Sequence, residues 1–426
     1  MSVSRRDFAR LFAVGGSAAL FAHPEFRGVQ SSSKPVAFKG AAGSEAFWTS
    51  IREQFVMPPD LAVMNAANLC PSSRPVLEAM YNSTRDVDRD PSPANRDKLG
   101  PAKEATRKKV AEFLRVTPEE IVLTRNTSES NNLVSSGLDL KAGDEVVLFG
   151  DNHPSNHQAW REKSKRFGYS VKIVDAINPH PGFDYYVDAF TKAITPQTRV
   201  LAFTHLTSTV GDLLPAAELC RVARDRGVLT LVDGAQSAGL LDVDLRAMQP
   251  DFYTASAHKW PCGPKEAGLL FINARVQTKI WPSVYSAYPG AVGVSRTFEG
   301  FGQRDDGALI AFGEALDFQT KIGRQEIETR SRSLTQMLID GLKKIDGVQV
   351  WTHSLPDRSA AVVSFKPGSL DSRKLAAVLY EKNRIACATR GGSDRPGLRF
   401  SPHIYNSPAE VDRVLAAVSQ YMKTGV

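Results

Sequence analysis

The chain predicts an α/β protein, with a mostly parallel sheet covered by helices and a smaller C-terminal α+β domain. Short apolar, β-branched runs alternate with helical patterns through its middle. Those runs are apolar throughout rather than at every second residue, which marks strands buried on both faces. Near residue 308 the rhythm changes to long helical patterns with short strands between. A length of 426 residues suits two domains or one large α/β unit. Hydrophobic content of 42% and charged content of 23% are those of a soluble globular chain.

The first element is "SRRDFARLFAVGGSAALFAHPEF", with Arg5 and Arg6 ahead of an apolar run from Leu11 to Ala22. A run of 12 residues is shorter than the roughly 20 that a bilayer span needs, so no membrane span is expected. It suits the apolar region of a secretory signal cleaved after Ala22. Ser4-Arg5-Arg6-Asp7-Phe8 resembles the twin-arginine export signal, whose pathway carries folded proteins, so a periplasmic location and the twin-arginine export machinery as partner are expected. Residues 1–22 hold three arginines and one aspartate, so their removal takes the net charge from +7 to +5. That excess is spread along the chain, without the basic stripe and interleaved aromatics of a nucleic-acid binder. The four cysteines, Cys70, Cys220, Cys262 and Cys387, form no C-x-x-C pair and suggest neither a disulfide framework nor a metal cage.

"QSSSKP" (30–35) reads as a flexible spacer within an N-terminal segment, 23–60. Strands are expected at 119–126, 144–153, 169–176, 198–207 and 227–236, each bounded by Gly, Asp, Asn or Pro, with a helix at 215–227 among those between them. They belong to a large domain, 61–307. A single long helix over 308–345 opens the small domain, 308–426, which closes on a helix over 407–423.

In an open α/β sheet, ligands sit beyond the carboxyl ends of the strands. After the first strand, Asn126 is a helix N-cap with Glu129 three residues on, and Thr127 and Ser128 stand beside the free N–H groups, an arrangement suited to a phosphate. His153 follows the second strand, Ser208 and Thr209 the fourth, and Asp233 and Gln236 the fifth. Lys259, in "TASAHKW", comes 26 residues after Asp233 in a tight turn beyond another strand. Singly, these are a turn histidine, a helix cap and a surface lysine. Together they fit one chemistry. A lysine held partly dry is deprotonated and can condense with an aldehyde cofactor, a role for pyridoxal 5'-phosphate (PLP). Its pyridine nitrogen stays protonated beside an acid, here Asp233, whose buried carboxylate otherwise lacks a cation. His153 can lie flat on the ring.

The runs "THLTSTVG", "VLTLVDGAQSAG", "FYTASAHKWPCGPKEAGLLF", "FGQRDD" and "LRFSPHIYNSPAEVDRV" resemble the class V aminotransferase family, within fold type I of the PLP-dependent enzymes. The resemblance covers nearly the whole mature chain. It implies Lys259 as the Schiff-base lysine, Asp233 on the pyridine nitrogen, Gln236 at the ring's 3-oxygen and His153 stacked on the ring. Thr127, Ser128, Ser256 and His258 match the phosphate cup, and Arg399 matches the arginine that takes the substrate carboxylate, a bidentate task suited to guanidinium. A homodimer is implied, with Gln303 reaching the partner's phosphate where many members place a threonine.

Cysteine desulfurases of this family carry a nucleophilic cysteine in the loop before that arginine. Here "ATRGGSDRPG" (388–397) has none, and Cys387 lies upstream. Ser208 stands where those enzymes place an asparagine. "HKWPCGPKEAGLLF" and "GQRDD" are most similar to the isopenicillin N epimerase-like branch. The expected activity is therefore epimerisation at the α-carbon of an amino acid or peptide-borne amino acid. The alternative is an exported β-lyase or tailoring enzyme modifying a secreted peptide such as a siderophore. A non-catalytic binding protein would have little use for Lys259, Asp233 and Arg399 together.

Overall fold

The five apolar runs become strands of one seven-stranded sheet: β1 (Ile121–Thr124), β2 (Glu145–Phe149), β3 (Ser170–Val174), β4 (Thr198–Thr204) and β5 (Leu229–Asp233), completed by β6 (Phe252–Ser256) and β7 (Gly268–Ile272). A computed structural model provides these coordinates and describes residues 37–391 and 394–426. The signal at 1–22 and the spacer at 30–35 lie outside the described residues. No helix among the described residues is long and apolar enough to cross a membrane.

The sheet order is β3-β2-β4-β5-β6-β7-β1. All neighbours are parallel except at β7, which runs antiparallel to both β6 and β1. Alternate residues feed two cores. Val147, Phe149, Leu201 and Phe203 point to one side, and Val146, Leu148, Val200 and Ala202 to the other. Both faces of the central strands are covered, so they leave no polar alternation to read, whereas the edge strand β3 has an exposed Ser170 and a half-buried Lys172.

The longer helices, leaving out four of eight residues or fewer, are α1 (Arg74–Arg89), α2 (Leu99–Leu114), α3 (Thr127–Gly137), α4 (Pro154–Phe167), α5 (Phe183–Ala193), α6 (Ala216–Arg224), α7 (Asp306–Ile322), α8 (Arg324–Leu342), α9 (Ser372–Asn383) and α10 (Pro408–Thr424). The single helix expected over 308–345 is two helices, α7 and α8. Gly323 separates them with φ 100° and ψ 124°, a conformation open to glycine and costly for any residue with a Cβ. The break lets the two halves serve different cores. Leu309, Phe312 and Leu316 of α7 join the core of the large sheet, whereas Leu334, Leu338 and Leu342 of α8 pack under the smaller one.

That smaller sheet is antiparallel, in the order β10-β11-β9-β8, from β8 (Val348–Val350), β9 (Val363–Pro367), β10 (Ala388–Arg390) and β11 (Gly397–Phe400). α10 closes it. Its "SPAE" start is a reciprocal capping box in which Ser407 Oγ accepts from Glu410 N at 3.2 Å and Glu410 Oε2 accepts from Ser407 N at 3.1 Å. The fold class is the one expected, a mostly parallel sheet with covering helices and a small antiparallel unit.

Candidate active site

Because β1, β2, β4, β5 and β6 all point the same way, their carboxyl ends meet along one edge. A cavity of about 910 Å³ opens there. Asn126, Thr127, Ser128, His153, Ser208, Asp233, Gln236, Ser256, His258, Lys259 and Arg399 all line it. Strand direction thus brings together residues from distant parts of the large sheet, and Arg399 joins them from the small sheet.

The phosphate-like end is built on α3. Asn126 Oδ1 caps the helix by accepting from Glu129 N at 3.0 Å. The Glu129 carboxylate does not return the bond. It accepts from Arg125 N at 2.6 Å and Arg125 Nε at 2.9 Å. Thr127 N donates to Ser256 Oγ at 2.8 Å, and the two hydroxyls lie 2.7 Å apart. This pins the helix start to the end of β6. Among the described residues Ser128 N–H has no partner, which leaves a helix N-terminus free to receive an anion. Ser128 Oγ bonds Ser155 Oγ at 3.1 Å, and Ser155 Oγ lies 2.8 Å from His153 Nδ1. His258 adds a buried ring nitrogen, Nδ1, without a partner among the described residues, and burial pushes its pKa down to about 4. Close packing is needed here: a Cβ on Gly268 would lie 2.8 Å from Asn126 Cα and 2.7 Å from Ala255 O.

Asp233, at the end of β5, is buried, and no cation among the described residues lies within ion-pair distance of it. Its Oδ2 accepts from Asn131 Nδ2 at 3.0 Å and its Oδ1 from Ala235 N at 3.1 Å. Asn131 is in turn fixed by Thr254 Oγ1, which donates to its Oδ1 at 2.9 Å. Sequence reading missed Asn131. The available signal was its place four residues after Thr127, on the same face of the helix. Gln236 is held by two bonds, Nε2 to Ala67 O at 2.9 Å and Trp260 Nε1 to its Oε1 at 2.8 Å.

Lys259 follows β6 in the turn between β6 and β7. It keeps some surface open to the cavity, yet its amine is enclosed, and no carboxylate among the described residues pairs with it. Burial lowers its pKa to about 8, with Asp233 opposing and Arg399 adding to the shift. A neutral amine is therefore accessible near neutral pH. The surface of His153 opens into the same cavity, whose walls desolvate the ring and, with the Lys259 charge, hold its pKa below the usual value.

Arg399, on β11, is 6% exposed and has no carboxylate partner among the described residues. Its Nη1 donates to Ser208 O at 2.7 Å and its Nη2 to Asn65 Oδ1 at 3.3 Å, while Nε is buried and unpaired. Burial lowers its pKa to about 10. A buried guanidinium held by neutral acceptors is a receptor for a carboxylate. Ser208 is placed beside it, offering a carbonyl where the resemblance had pointed to its side-chain position. Gln303 lies apart, in a smaller cavity with Arg96 and Tyr288, where Arg96 Nη2 donates to its Oε1 at 2.8 Å.

Cys387 sits between the strands ahead of Arg399 and does not line the cavity, and burial pushes its thiol up to about 12. Cys70, Cys262 and His403 cluster elsewhere in the core with their ligand atoms within 4.8 Å of one another. Both His403 nitrogens are taken there, Nδ1 by Ser331 Oγ at 3.1 Å and Nε2 by Trp260 O at 2.8 Å, so the group packs as core.

The donor set fits PLP: an anion-ready helix start, a buried carboxylate without a cation and a depressed lysine share one cavity. The profile of the family described as Aminotransferase class-V matches residues 81–414. An isopenicillin N epimerase of Amycolatopsis lactamdurans is 31% identical over 394 residues, covering 88% of this chain and 99% of that protein. A probable cysteine desulfurase of Methanothermobacter thermautotrophicus is 28% identical, covering 85% and 94%. Among solved structures, a C-DES mutant with glycine covalently linked to its PLP cofactor superposes with a TM-score of 0.80 at 25% identity, over 86% of this chain and 98% of that one.

Proposed function

The chain belongs to the class V aminotransferase family and is a PLP-dependent enzyme, and we propose that it epimerises the α-carbon of an amino acid or peptide-borne amino acid. The observation that carries this reading is the sharing of one cavity by Lys259 and Arg399, neither of which has a carboxylate partner among the described residues.

When bound, PLP supplies an aldehyde for the lysine amine and a protonated ring that draws electrons from the substrate's α-carbon. The chain's own groups do the rest. Arg399 takes the substrate carboxylate and fixes the α-carbon's orientation. Lys259 Nζ, its pKa lowered to about 8, would accept the α-proton on one face, and inversion requires that a proton from cavity solvent or a second acid reach the opposite face. Asp233, aligned by Asn131, keeps the pyridine nitrogen protonated. His153 would face the ring, and Thr127, Ser128, Ser256 and His258 would hold the phosphate.

Persulfide chemistry is disfavoured by the cavity itself, since no cysteine lines it. The test is incubation of the holoprotein with L- and D-amino acids and peptides in deuterated water. Deuterium at Cα, with the carbon skeleton intact and both isomers appearing, is expected. Release of pyruvate and ammonia without retained substrate would replace epimerisation by β-elimination.

We also propose a homodimer, with Gln303 serving the partner's phosphate site, and export of the folded protein to the periplasm through residues 1–22. Replacing Arg5 and Arg6 by lysine should leave the precursor in the cytoplasm. Undisturbed processing of that variant would mean another route.

A further inference from the structure

The cluster of Cys70, Cys262 and His403 adjoins the turn that carries Lys259, and none of the roles above uses its sulfurs. The Sγ atoms of Cys70 and Cys262 lie within 4.8 Å of each other, and both residues are 1% exposed. With both His403 nitrogens engaged, what the cluster offers is a pair of free thiols.

Both cysteine backbones are bonded to the lysine's turn. Cys70 N donates to His258 O at 2.8 Å, and Cys262 N donates to Lys259 O at 2.9 Å. The segment ending at Cys70 also serves the cavity. Asn65 Oδ1 accepts from Arg399 Nη2 at 3.3 Å, Ala67 O accepts from Gln236 Nε2 at 2.9 Å, and Asn68 lines the wall. Cys262 stands at φ 56°, a left-handed conformation that disfavours a residue with a Cβ. Glycine would take that position at lower cost, yet a thiol occupies it within reach of a second thiol. Lys265 lies close by. Its Nζ donates to Cys70 O at 2.9 Å and to Ser72 Oγ at 3.3 Å, and no carboxylate among the described residues pairs with it. Burial holds the Cys262 thiol well above its ordinary pKa, while the Lys265 charge favours the thiolate that exchanges with disulfides. The exchange is therefore slow.

We propose that Cys70 and Cys262 are a redox-active pair that closes to a disulfide, clamping the Lys259 turn to the segment that holds Arg399 and Gln236. The oxidant is an external disulfide, such as glutathione disulfide or an oxidised dithiol catalyst. One thiolate attacks it to give a mixed disulfide, and the other cysteine displaces the second thiol. One S–S bond forms in the chain, and the two electrons and two protons end on the oxidant as two thiols. Export, as proposed above, would carry the pair from a reducing to an oxidising compartment.

The test is mass spectrometry of the holoprotein after overnight incubation with excess glutathione disulfide, alkylated in denaturant without reduction. Peptides joined through Cys70 and Cys262 are expected, with Cys220 and Cys387 still alkylated and all four cysteines alkylated after dithiothreitol. Oxidised holoprotein should melt about 5 °C or more above the reduced form, since the bond closes a loop through most of the large domain. That gap should vanish in Cys70→Ser and Cys262→Ser and persist in Cys220→Ser. If a serine variant fails to fold, the wild-type cross-link decides alone. The proposal is overturned if all four thiols still alkylate after oxidation, or if glutathione adducts form without the cross-link. A cross-link that leaves the melting temperature unchanged removes the clamp. None of these readouts uses turnover, so they stand apart from the test of epimerisation.

Discussion

At Lys259 the enclosed amine reaches about 8 instead of 10.5 because burial penalises its charge. In the cofactor-free protein the unfolded chain keeps that proton up to about 10.5, while the folded chain releases it above about 8. Between those values the unfolded state binds more protons, so this group makes stability rise with pH, and below about 8 its penalty is present in full. Cofactor-free Lys259→Met should therefore melt a few degrees higher than the wild type at pH 7, with the gap closing toward pH 10.5. Equal melting across that range would mean the amine is well solvated. Asp212 behaves in the opposite sense. It is buried with neither carboxylate oxygen paired among the described residues, and burial, with the Asp151 charge, raises its pKa from 3.8 to about 7. Between those values the folded state binds more protons, so the contribution of Asp212 to stability falls as pH rises from about 4 to about 7. Asp212→Asn should flatten that part of the pH profile of melting. A variant that tracks the wild type from pH 4 to 8 would show that Asp212 is paired in solution.

Among the elements, β1, β2, β4 and β5 were legible because both faces are largely apolar, and the edge strand β3 by its β-branched residues, each run ending in a turn former. The direction of β7 was not. An apolar run such as "GLLFI" reads the same whether its neighbours are parallel or antiparallel, and only the short return from β6 fixes it. Lys259, Asp233 and His153 could be read because each follows a strand directly. Asn131 could not be assigned in that way, since it acts through another side chain. The α7–α8 break was missed because one glycine inside a long helical pattern is tolerated often enough to pass unnoticed. Its backbone makes a direct prediction. The Cβ of Gly323→Ala would find space, 3.5 Å from the nearest atom, Glu326 Cγ, so the cost lies in the positive φ alone. A loss of about 1–3 kcal/mol in urea unfolding is expected. No loss would mean that the two helices join by another geometry in solution.

Over the whole molecule, Trp281 (65% exposed), Tyr285 (75%) and Tyr288 (65%) crowd one surface segment. Large apolar side chains exposed together mark a contact surface. Gln303 belongs to the same region, since it shares a cavity with Tyr288 and Gly302 N donates to Ala287 O at 3.2 Å. The loop that carries it is fixed at both ends. Arg107 Nη2 donates to the Glu299 carboxylate at 2.8 Å, and Arg304 Nη1 donates to Leu123 O at 2.6 Å. Gln303 is thus presented outward from a rigid frame, away from its own chain's cavity, as the proposed dimer requires. A hydrogen bond from its amide to a charged phosphate is worth about 1.5–3 kcal/mol, or roughly ten- to hundredfold in cofactor affinity. Gln303→Ala should release PLP faster in dialysis without lowering the melting temperature of the cofactor-free protein. Tyr285→Arg, which puts charge into the exposed aromatic patch, should shift the protein toward monomer in sedimentation and weaken cofactor retention in parallel. A wild-type monomer with full cofactor occupancy would refute the shared site, because Gln303 would then have no second phosphate to serve.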